Sequence, residues 1–375
     1  MAVSRIDEAG LNINQYGNRN LIINGAMQVD QRGSYTITTS GSPEYGGPDR
    51  FHMWSYASDE QVVGDVTQST DVPSGNGFGY SRKFDVTTAE SAVASGEALL
   101  MAQLIEAQNL QHLEYGTSSA KDVTVSFWIK STKTGTYCFF INQEDGSRIY
   151  VKEYTVDASD TWEKKIITIP GDASGTINND NGRGFWCGWV LMAGTNRHGT
   201  ANEWRATGAD YATSNQVNAV DSTSNNIYFT GVQLEVGSEA TPFEHRLVAD
   251  ELERCSRYYQ KTIADSDTYK HFGLVFVGAD AGGTSYGTLA VPLVTTMRTV
   301  PSLETTGTVS NYALWVKNTN TALSTFSVDT GIDDGTVHGQ FYLNAYASVS
   351  AGAGSCGAVR ANNASAAFVA LDAEL

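Results

Sequence analysis

Two short segments of the chain combine tryptophan with amide and carboxylate side chains. They are Phe185-Trp-Cys-Gly-Trp189 and Asn202-Glu-Trp-Arg205. Flat aromatic faces beside amides and carboxylates suit sugar rings, which present an apolar face and a rim of hydroxyl groups. The candidate glycan-binding residues are therefore Trp186, Trp189, Asn202, Glu203 and Trp204. Trp186 and Trp189 could instead be core residues, and the sequence leaves both interpretations open.

Possible catalytic motifs are weak. Gly283-Thr-Ser-Tyr-Gly287 fits the Gly-x-Ser-x-Gly pattern, but a nucleophile elbow needs a helix after the serine, and a β-rich stretch with a proline follows here. The six histidines lack metal-ligand spacing, and Asp333-Asp334 lie in a glycine-flanked turn. A glycosidase would need two carboxylates that face each other across a cleft. We predict that the protein is not an enzyme, with a glycan depolymerase or esterase as the alternative.

The charge balance argues against polyanionic partners. The chain has 41 Asp and Glu against 24 Lys and Arg, a formal net charge of −17. An acidic surface has no general attraction for nucleic acid or anionic membrane, so we expect neither nucleic-acid binding nor membrane insertion. The four cysteines form no Cys-x-x-Cys and lie far apart, which predicts reduced, mostly buried thiols. The first residues lack the apolar stretch of a signal peptide, which indicates assembly in a cytoplasm.

Alternating residues predict an all-β protein. The clearest strand sets apolar residues on one face against polar residues and a tryptophan on the other: Val123, Val125, Phe127 and Ile129 against Thr124, Ser126, Trp128 and Lys130. We also predict a β-bulge where the alternation changes phase at Gly231. The segment 97–106 has helical propensity, and its own residues leave helix and strand open. Many short strands with Gly, Ser and Asn turns are typical of β-sandwiches.

One stripe of residues predicts a helix from Val248 to Gln260. The stripe is Val248, Leu252, Cys255 and Tyr259, spaced at i, i+4, i+7 and i+11. Acidic residues in the first turn and arginines later would favour the helix dipole. We predict that this stripe is the assembly element of a homotrimer. Packing of the stripe on the chain's own sandwich is the alternative.

A set of blocks in fixed order resembles bacteriophage tail-fibre and virion-appendage proteins that carry a carbohydrate-binding-module-like jelly-roll domain. The blocks are Asn20-Leu-Ile-Ile-Asn-Gly-Ala-Met27, Asp30-Gln-Arg32, Asp49-Arg-Phe51, Val125-Ser-Phe-Trp-Ile-Lys-Ser131, Thr161-Trp-Glu163, Ile169-Pro-Gly-Asp172 and the segment Phe229 to Arg246. They span about residues 20–260. The resemblance implies a jelly-roll β-sandwich in a virion protein that is often trimeric and sometimes recognises the host. It also implies a strand rather than a helix around 97–106, and we predict a strand there.

The resemblance and the strand pattern together define four expected segments. Residues 1–20 form an extended arm that anchors the chain to other virion proteins, and 21–246 form a carbohydrate-binding-like jelly roll. Residues 247–262 form a helical linker, and 263–375 a second, β-sandwich-like domain. We expect a structural component of a virion (tail fibre, tail tip or head fibre), assembled in the host cytoplasm, that presents a surface for attachment to a host cell-surface glycan.

A structural calcium ion is the one cofactor considered. Sandwiches of this kind often hold calcium, which requires several hard oxygen ligands. The candidate ligands are Asn24, Asp30, Asp49 and Glu235, because Asn24 lies near the first strand and Glu235 in the last strand of the sandwich. Ordinary hydrogen bonding by these side chains is the alternative.

Overall fold

The computed structural model describes residues 18–37, 41–56, 63–206, 208–263, 267–279, 285–328, 340–348 and 355–375. The chain divides into two compact units, unit 1 up to Glu251 and unit 2 over Leu252–Glu374. Most of the predicted N-terminal arm, residues 1–17, lies outside the described residues. So do Gly283 and the pair Asp333-Asp334.

Unit 1 is a jelly-roll sandwich of antiparallel strands, which confirms the predicted fold class. In chain order the strands are β1 (Tyr35–Ile37), β2 (Pro43–Tyr45), β3 (His52–Tyr56), β4 (Val63–Ser69), β5 (Ser81–Thr88), β6 (Ala98–Glu106), β7 (Val123–Ser131), β8 (Gly135–Gln143), β9 (Arg148–Val156), β10 (Glu163–Ile169), β11 (Arg183–Ala193), β12 (Trp204–Ala206) and β13 (Asn226–Val236). Sheet A has the order β1-β4-β5-β13-β7-β10, and sheet B has the order β12-β9-β8-β11-β6-β3-β2. Short 3₁₀ turns cover Ala107–Leu113 and Thr195–Arg197.

The core of unit 1 lies between the two sheets. Alternate residues of β7 point into it, and the predicted apolar set is at most 1% exposed: Val123, Val125, Phe127 and Ile129. The segment 98–106 is a strand, as predicted, because its alternate side chains pack into the same core. The register of β13 shifts between Thr230 and Gln233, so the predicted bulge at Gly231 is confirmed.

Unit 2 is a second β domain built from two sheets around a separate core. Its strands are β14 (Tyr259–Ile263), β15 (His271–Ala279), β16 (Ser285–Pro292), β17 (Ser302–Thr305), β18 (Tyr312–Val316), β19 (Thr319–Ala322), β20 (Thr325–Val328), β21 (Gln340–Ala347), β22 (Ser355–Ala361) and β23 (Phe368–Asp372), with a 3₁₀ turn at Val309–Asn311. One sheet has the order β14-β23-β17 and the other β19-β18-β22-β15-β16-β21-β20. The Ser285 of the Gly-x-Ser-x-Gly pattern begins strand β16 and does not precede a helix.

The helix is shorter than predicted. Helix α1 covers Val248–Ser256, and Tyr259 already belongs to β14, so the prediction of a helix to Gln260 is wrong. Strand β14 pairs with β23, more than a hundred residues later, and that pairing overrides the local helical pattern. The predicted stripe is therefore divided: Cys255 and Tyr259 are 0% and 2% exposed, whereas Val248 and Leu252 are 58% and 38% exposed. No helix of the described residues is long and apolar enough to cross a membrane.

None of the four cysteines forms a disulfide. Cys138, Cys187 and Cys255 are buried, as predicted, and Cys356 is exposed. Burial raises the pKa of Cys138 to about 11, so this thiol stays protonated at neutral pH. The three buried cysteines act as small apolar core residues.

Candidate functional site

A cleft opens on the outer face of sheet A. It encloses about 540 Å³, within the range of ligand-binding pockets. Residues of four chain segments line it: Gly75, Asn76 and Phe78 before β5, Trp128 on β7, Lys164 on β10, and Ala240, Thr241, Pro242, Phe243 and His245 after β13. The walls thus combine aromatic rings with amide, hydroxyl and ammonium groups.

Trp128 supplies a large aromatic surface from the sheet. It lies opposite Lys164 on β10 and opposite Thr230 on β13, so it sits in the middle of three paired strands. Its neighbours Phe127 and Ile129 point into the core, which forces Trp128 to the outer face because strand residues alternate. The ring is half-buried and lines the cleft. A tryptophan held in this way by two flanking strands is a rigid platform.

Three further rings form an aromatic group beside Trp128. The ring centroids of Phe78 and Phe243 are 5.1 Å apart, those of Phe78 and His245 5.3 Å, and those of Phe243 and His245 4.9 Å. These separations are those of favourable edge-to-face and tilted aromatic pairs. The contacts join the loop before β5 to the loop after β13, so the rings fix one wall of the cleft.

The bulge glycine allows this wall to approach the sheet. A Cβ atom at Gly231 would lie 2.5 Å from Phe78 Cζ, closer than real Cβ atoms come, and 3.0 Å from Trp128 Cδ1, tighter than most real Cβ contacts. The residue also has a φ of +61°, a backbone conformation that residues other than glycine adopt only at a cost in free energy. Gly231 therefore has two reasons to be glycine, the turn of the bulge and the close packing of two cleft aromatics.

Glu235 and Gln233 hold the loop after β13 in place. The buried Glu235 carboxylate accepts hydrogen bonds from Thr241 N (2.8 Å), Thr241 Oγ1 (2.6 Å) and Gln233 Nε2 (2.8 Å). Gln233 Oε1 in turn accepts a bond from Glu244 N at 2.8 Å. Both side chains lie on the outer face of β13, so the sheet itself positions Thr241 and the residues that follow it along the cleft.

A second set of contacts ties the same loop to the start of unit 1. Glu244 accepts hydrogen bonds from the backbone N–H groups of Arg19 (3.2 Å) and Asn20 (3.0 Å), and its carboxylate pairs with Arg246. Burial raises the pKa of Glu244, but these N–H groups and the Arg246 guanidinium outweigh burial and lower it overall. Arg246 also pairs with Glu251, whose other oxygen accepts Asn24 N–H.

Comparison with known proteins shows similarity at the level of fold. No protein-family model and no curated protein matches the chain. Similar solved structures include the enzymatically active domain of tailspike protein 4 of bacteriophage CBA120, with 14% identity, a TM-score of 0.31 and coverage of 58% of this chain. This chain spans 21% of that tailspike domain.

Two other similar structures come from bacteria. A putative sugar binding protein from Bacteroides thetaiotaomicron has 10% identity and a TM-score of 0.33, with 58% of this chain and 100% of that chain covered. A family 11 carbohydrate-binding module from Clostridium thermocellum has 16% identity and a TM-score of 0.26, with 56% and 98% covered.

The candidate glycan residues from the sequence do not form one platform. Trp189 is 0% exposed and lies in the core between the sheets, so its ring is closed to a ligand. Trp204 packs edge-on against Tyr115 and Tyr150, and its indole N–H donates to a backbone carbonyl. These two tryptophans stabilise the sandwich.

The two polar candidates beside Trp204 are exposed. Asn202 has a φ of +67° in a turn, and its side-chain oxygen accepts a bond from Lys152. Glu203 follows it at the surface. Neither lines the cleft on sheet A.

Trp186 belongs to an aromatic cluster on the outer face of sheet B. Its ring centroid lies 5.0 Å from that of Trp54, which stacks on Tyr56 at 5.5 Å and 13°. Trp186 also contacts Tyr211 at 5.2 Å, and the Arg197 guanidinium lies over the Tyr56 ring at 4.2 Å. Because the rings pack on one another and Trp186 is 4% exposed, the Trp186 ring is closed to a ligand, while Trp54 and Tyr56 are half-buried.

His52 lies beside this cluster as a buried neutral imidazole. It is 0% exposed, and its ring centroid is 6.2 Å from that of Trp54. Burial and then the nearby positive charges of Arg82, Arg50 and Arg183 lower its pKa to about 3. His52 is therefore uncharged throughout the neutral pH range.

The four candidate calcium ligands take part in hydrogen bonds that shape loops. Asn24 Nδ2 donates to the backbone oxygen of Asp49, and the Asp49 carboxylate accepts N–H groups from the backbone and side chain of Gln31 at 2.9 and 2.6 Å. Asp30 accepts a backbone N–H, and Glu235 holds the cleft loop. Within the described ranges, no three His, Cys, Asp or Glu side chains group so as to hold a metal. Calcium binding stays a prediction.

The sequence did contain a signal for the cleft. Trp128 stands in a face otherwise made of Thr124, Ser126 and Lys130, and a tryptophan on a polar strand face has no core to fill. The partners of Trp128 could not be selected in the same way, because Phe78 and His245 come from loops far away in sequence.

Proposed function

We propose that unit 1 binds a glycan in the cleft on sheet A. The observation that supports this proposal is the outward-facing Trp128, held rigidly by paired strands and joined by a wall of three other rings. An aromatic face can stack on the apolar face of a sugar, while Asn76, Thr241 and Lys164 offer hydrogen bonds to its hydroxyl groups. The cleft holds enough volume for a short saccharide.

Replacing Trp128 with alanine should remove most of the glycan affinity. Loss of a central aromatic anchor typically costs about 2 kcal/mol of binding free energy, which is roughly 30-fold in Kd. Retardation of the full chain in native gels that contain bacterial surface polysaccharides would measure this, with circular dichroism to verify folding. Trp162→Ala is the matched control, since Trp162 is half-buried immediately before β10 but lies outside the cleft. Unchanged retardation of Trp128→Ala would place the site elsewhere.

We further propose that the chain is a binding component of a phage virion and not an enzyme. The ordered blocks between residues 20 and 260 support the virion role, and the cleft lining supports binding without catalysis, because it contains no Asp, Glu, Ser or Cys. Antibody to this chain should label the appendages of purified particles in negative-stain images. Particles without label would contradict the virion role. Release of reducing ends or acetate from a bound polysaccharide would contradict the proposal that the chain is not an enzyme.

For assembly we propose a homotrimer that uses the exposed part of helix α1. Val248 and Leu252 are 58% and 38% exposed, and burial against copies of themselves would stabilise an oligomer. Leu252→Asp should then convert a trimer into monomers in light scattering, because like charges would meet at the axis. Leu274→Asp is the control, since Leu274 is 79% exposed on strand β15. A monomeric wild type would end this proposal.

A further inference from the structure

Lys164 differs from every other lysine of unit 1. Each of the others has a carboxylate or amide oxygen as partner: Lys83, Lys121, Lys130, Lys133, Lys152 and Lys165. Lys164 is exposed, and its ammonium group has no hydrogen bond or ion pair in the part of the chain that the structure describes. It is also the lysine that lines the cleft. An ammonium group without a partner in a strongly acidic chain is available to a ligand.

Two acidic groups that hold the cleft loop, Glu235 and Glu244, are already engaged, whereas Glu239, next to the lining residue Ala240, is exposed. Glu235 lies behind Thr241, is 2% exposed and accepts three hydrogen bonds. Glu244 is paired with Arg246. The lining itself contains Lys164 and His245 but no carboxylate. Although the chain carries a net charge of −17, screening over a Debye length of about 8 Å at physiological salt leaves the groups at the cleft dominant.

We propose that the cleft selects an acidic saccharide, with a carboxylate on the sugar that stacks on Trp128. This inference rests on the proposed glycan-binding function. Lys164 is directly opposite Trp128 in the β7–β10 register, and such cross-strand neighbours have Cβ atoms about 5 Å apart. That spacing matches a pyranose ring on the indole with its exocyclic carboxylate at the ammonium group. The ring contact supplies affinity, and the charged hydrogen bond supplies selectivity for the acid.

The test uses pairs of polymers that differ only in charge. The probes are alginate, polygalacturonate and hyaluronan, each beside its carboxyl-reduced form, in which a neutral hydroxymethyl group replaces the carboxylate. Affinity electrophoresis of the full chain should show at least one acidic polymer bound about tenfold more tightly than its reduced form. Lys164→Gln should lose this preference while it keeps the affinity for the reduced form. Lys152→Gln, on sheet B, is the matched control and should behave as wild type.

The outcomes separate this inference from the function on which it rests. Wild type could bind acidic and reduced polymers equally, with both lost in Trp128→Ala. That result would overturn selection for acids but would leave the proposed glycan binding intact. An acid preference that survives in Lys164→Gln would also overturn it. Poly(glycerol phosphate), which has charge but no sugar ring, is a further probe. If it binds as tightly as the best uronate polymer, charge alone suffices for binding and the proposal is overturned. If no polymer binds, both proposals fail.

Discussion

Trp189→Ala should destabilise unit 1 by about 3–5 kcal/mol, the usual cost of removing a large aromatic side chain from a core. The Trp189 ring joins the two sheets. Its centroid lies 5.0 Å from that of Phe139 in sheet B, and 5.7 and 6.1 Å from those of Phe127 and Phe229 in sheet A. The side chain is 0% exposed, so its removal leaves a cavity that the surrounding rings cannot fill without moving.

Urea unfolding of the full chain, followed by far-UV circular dichroism, would measure this loss. Because the chain has two compact units, we expect each unit to unfold in its own transition. Trp189→Ala should shift the transition of unit 1 to lower urea concentration. Trp189→Phe should cost less, since it leaves a smaller cavity and removes an indole N–H that has no hydrogen-bond partner in the described structure. Trp162→Ala provides the surface control. A loss below about 1 kcal/mol in Trp189→Ala would contradict the position of this ring in the core.

The second large effect is expected at Glu251. Glu251 is 6% exposed, and its carboxylate pairs with Arg246 at 2.9 Å and also accepts the backbone N–H of Asn24. Glu251→Ala would leave a buried guanidinium with one carboxylate fewer and a buried N–H without an acceptor. Removing one partner of a buried ion pair costs about 3–5 kcal/mol of unfolding free energy. Because Arg246 keeps its pair with Glu244, we expect a loss near the lower end of that range.

The same urea unfolding experiment tests the contribution of the Glu251–Arg246 pair, with Glu253→Ala as the control. Glu253 lies on the same helix and is exposed, so its loss should change stability by less than about 0.5 kcal/mol. The double variant Glu251→Ala with Arg246→Leu should recover part of the loss, because it removes the unpaired charge together with its partner. Similar stability for Glu251→Ala and Glu253→Ala would show that the contacts between the start of unit 1 and helix α1 do not hold the fold.

These contacts also bear on the cleft. Arg19 Nη1 donates to Thr241 Oγ1 at 2.9 Å, and the backbone N–H groups of Arg19 and Asn20 donate to Glu244. The loop that carries Phe243 and His245 is thus held by hydrogen bonds to Glu235 of β13 and by hydrogen bonds to Arg19 and Asn20. A preorganised loop of this kind reduces the entropy lost when a ligand binds.

Local patterns in the sequence determined the β architecture. Alternation along β7 identified the inward residues, because a strand has two faces and only one of them meets the core. The phase change at Gly231 identified the bulge, and the start of helix α1 at Val248 followed from its apolar spacing. Each of these features is decided by neighbours within a few residues, which is the range over which a sequence can be interpreted directly.

Tertiary structure decided which aromatic residues stay accessible. Trp186 and Trp189 are three residues apart on one strand, but Trp189 points into the core and Trp186 into an aromatic cluster on the other face. The cleft joins Trp128 to rings from the loops before β5 and after β13, and the end of helix α1 depends on a strand near the C-terminus. Pairings between such distant segments are set by sheet register and by the burial of a common core, and no local pattern in the sequence encodes them.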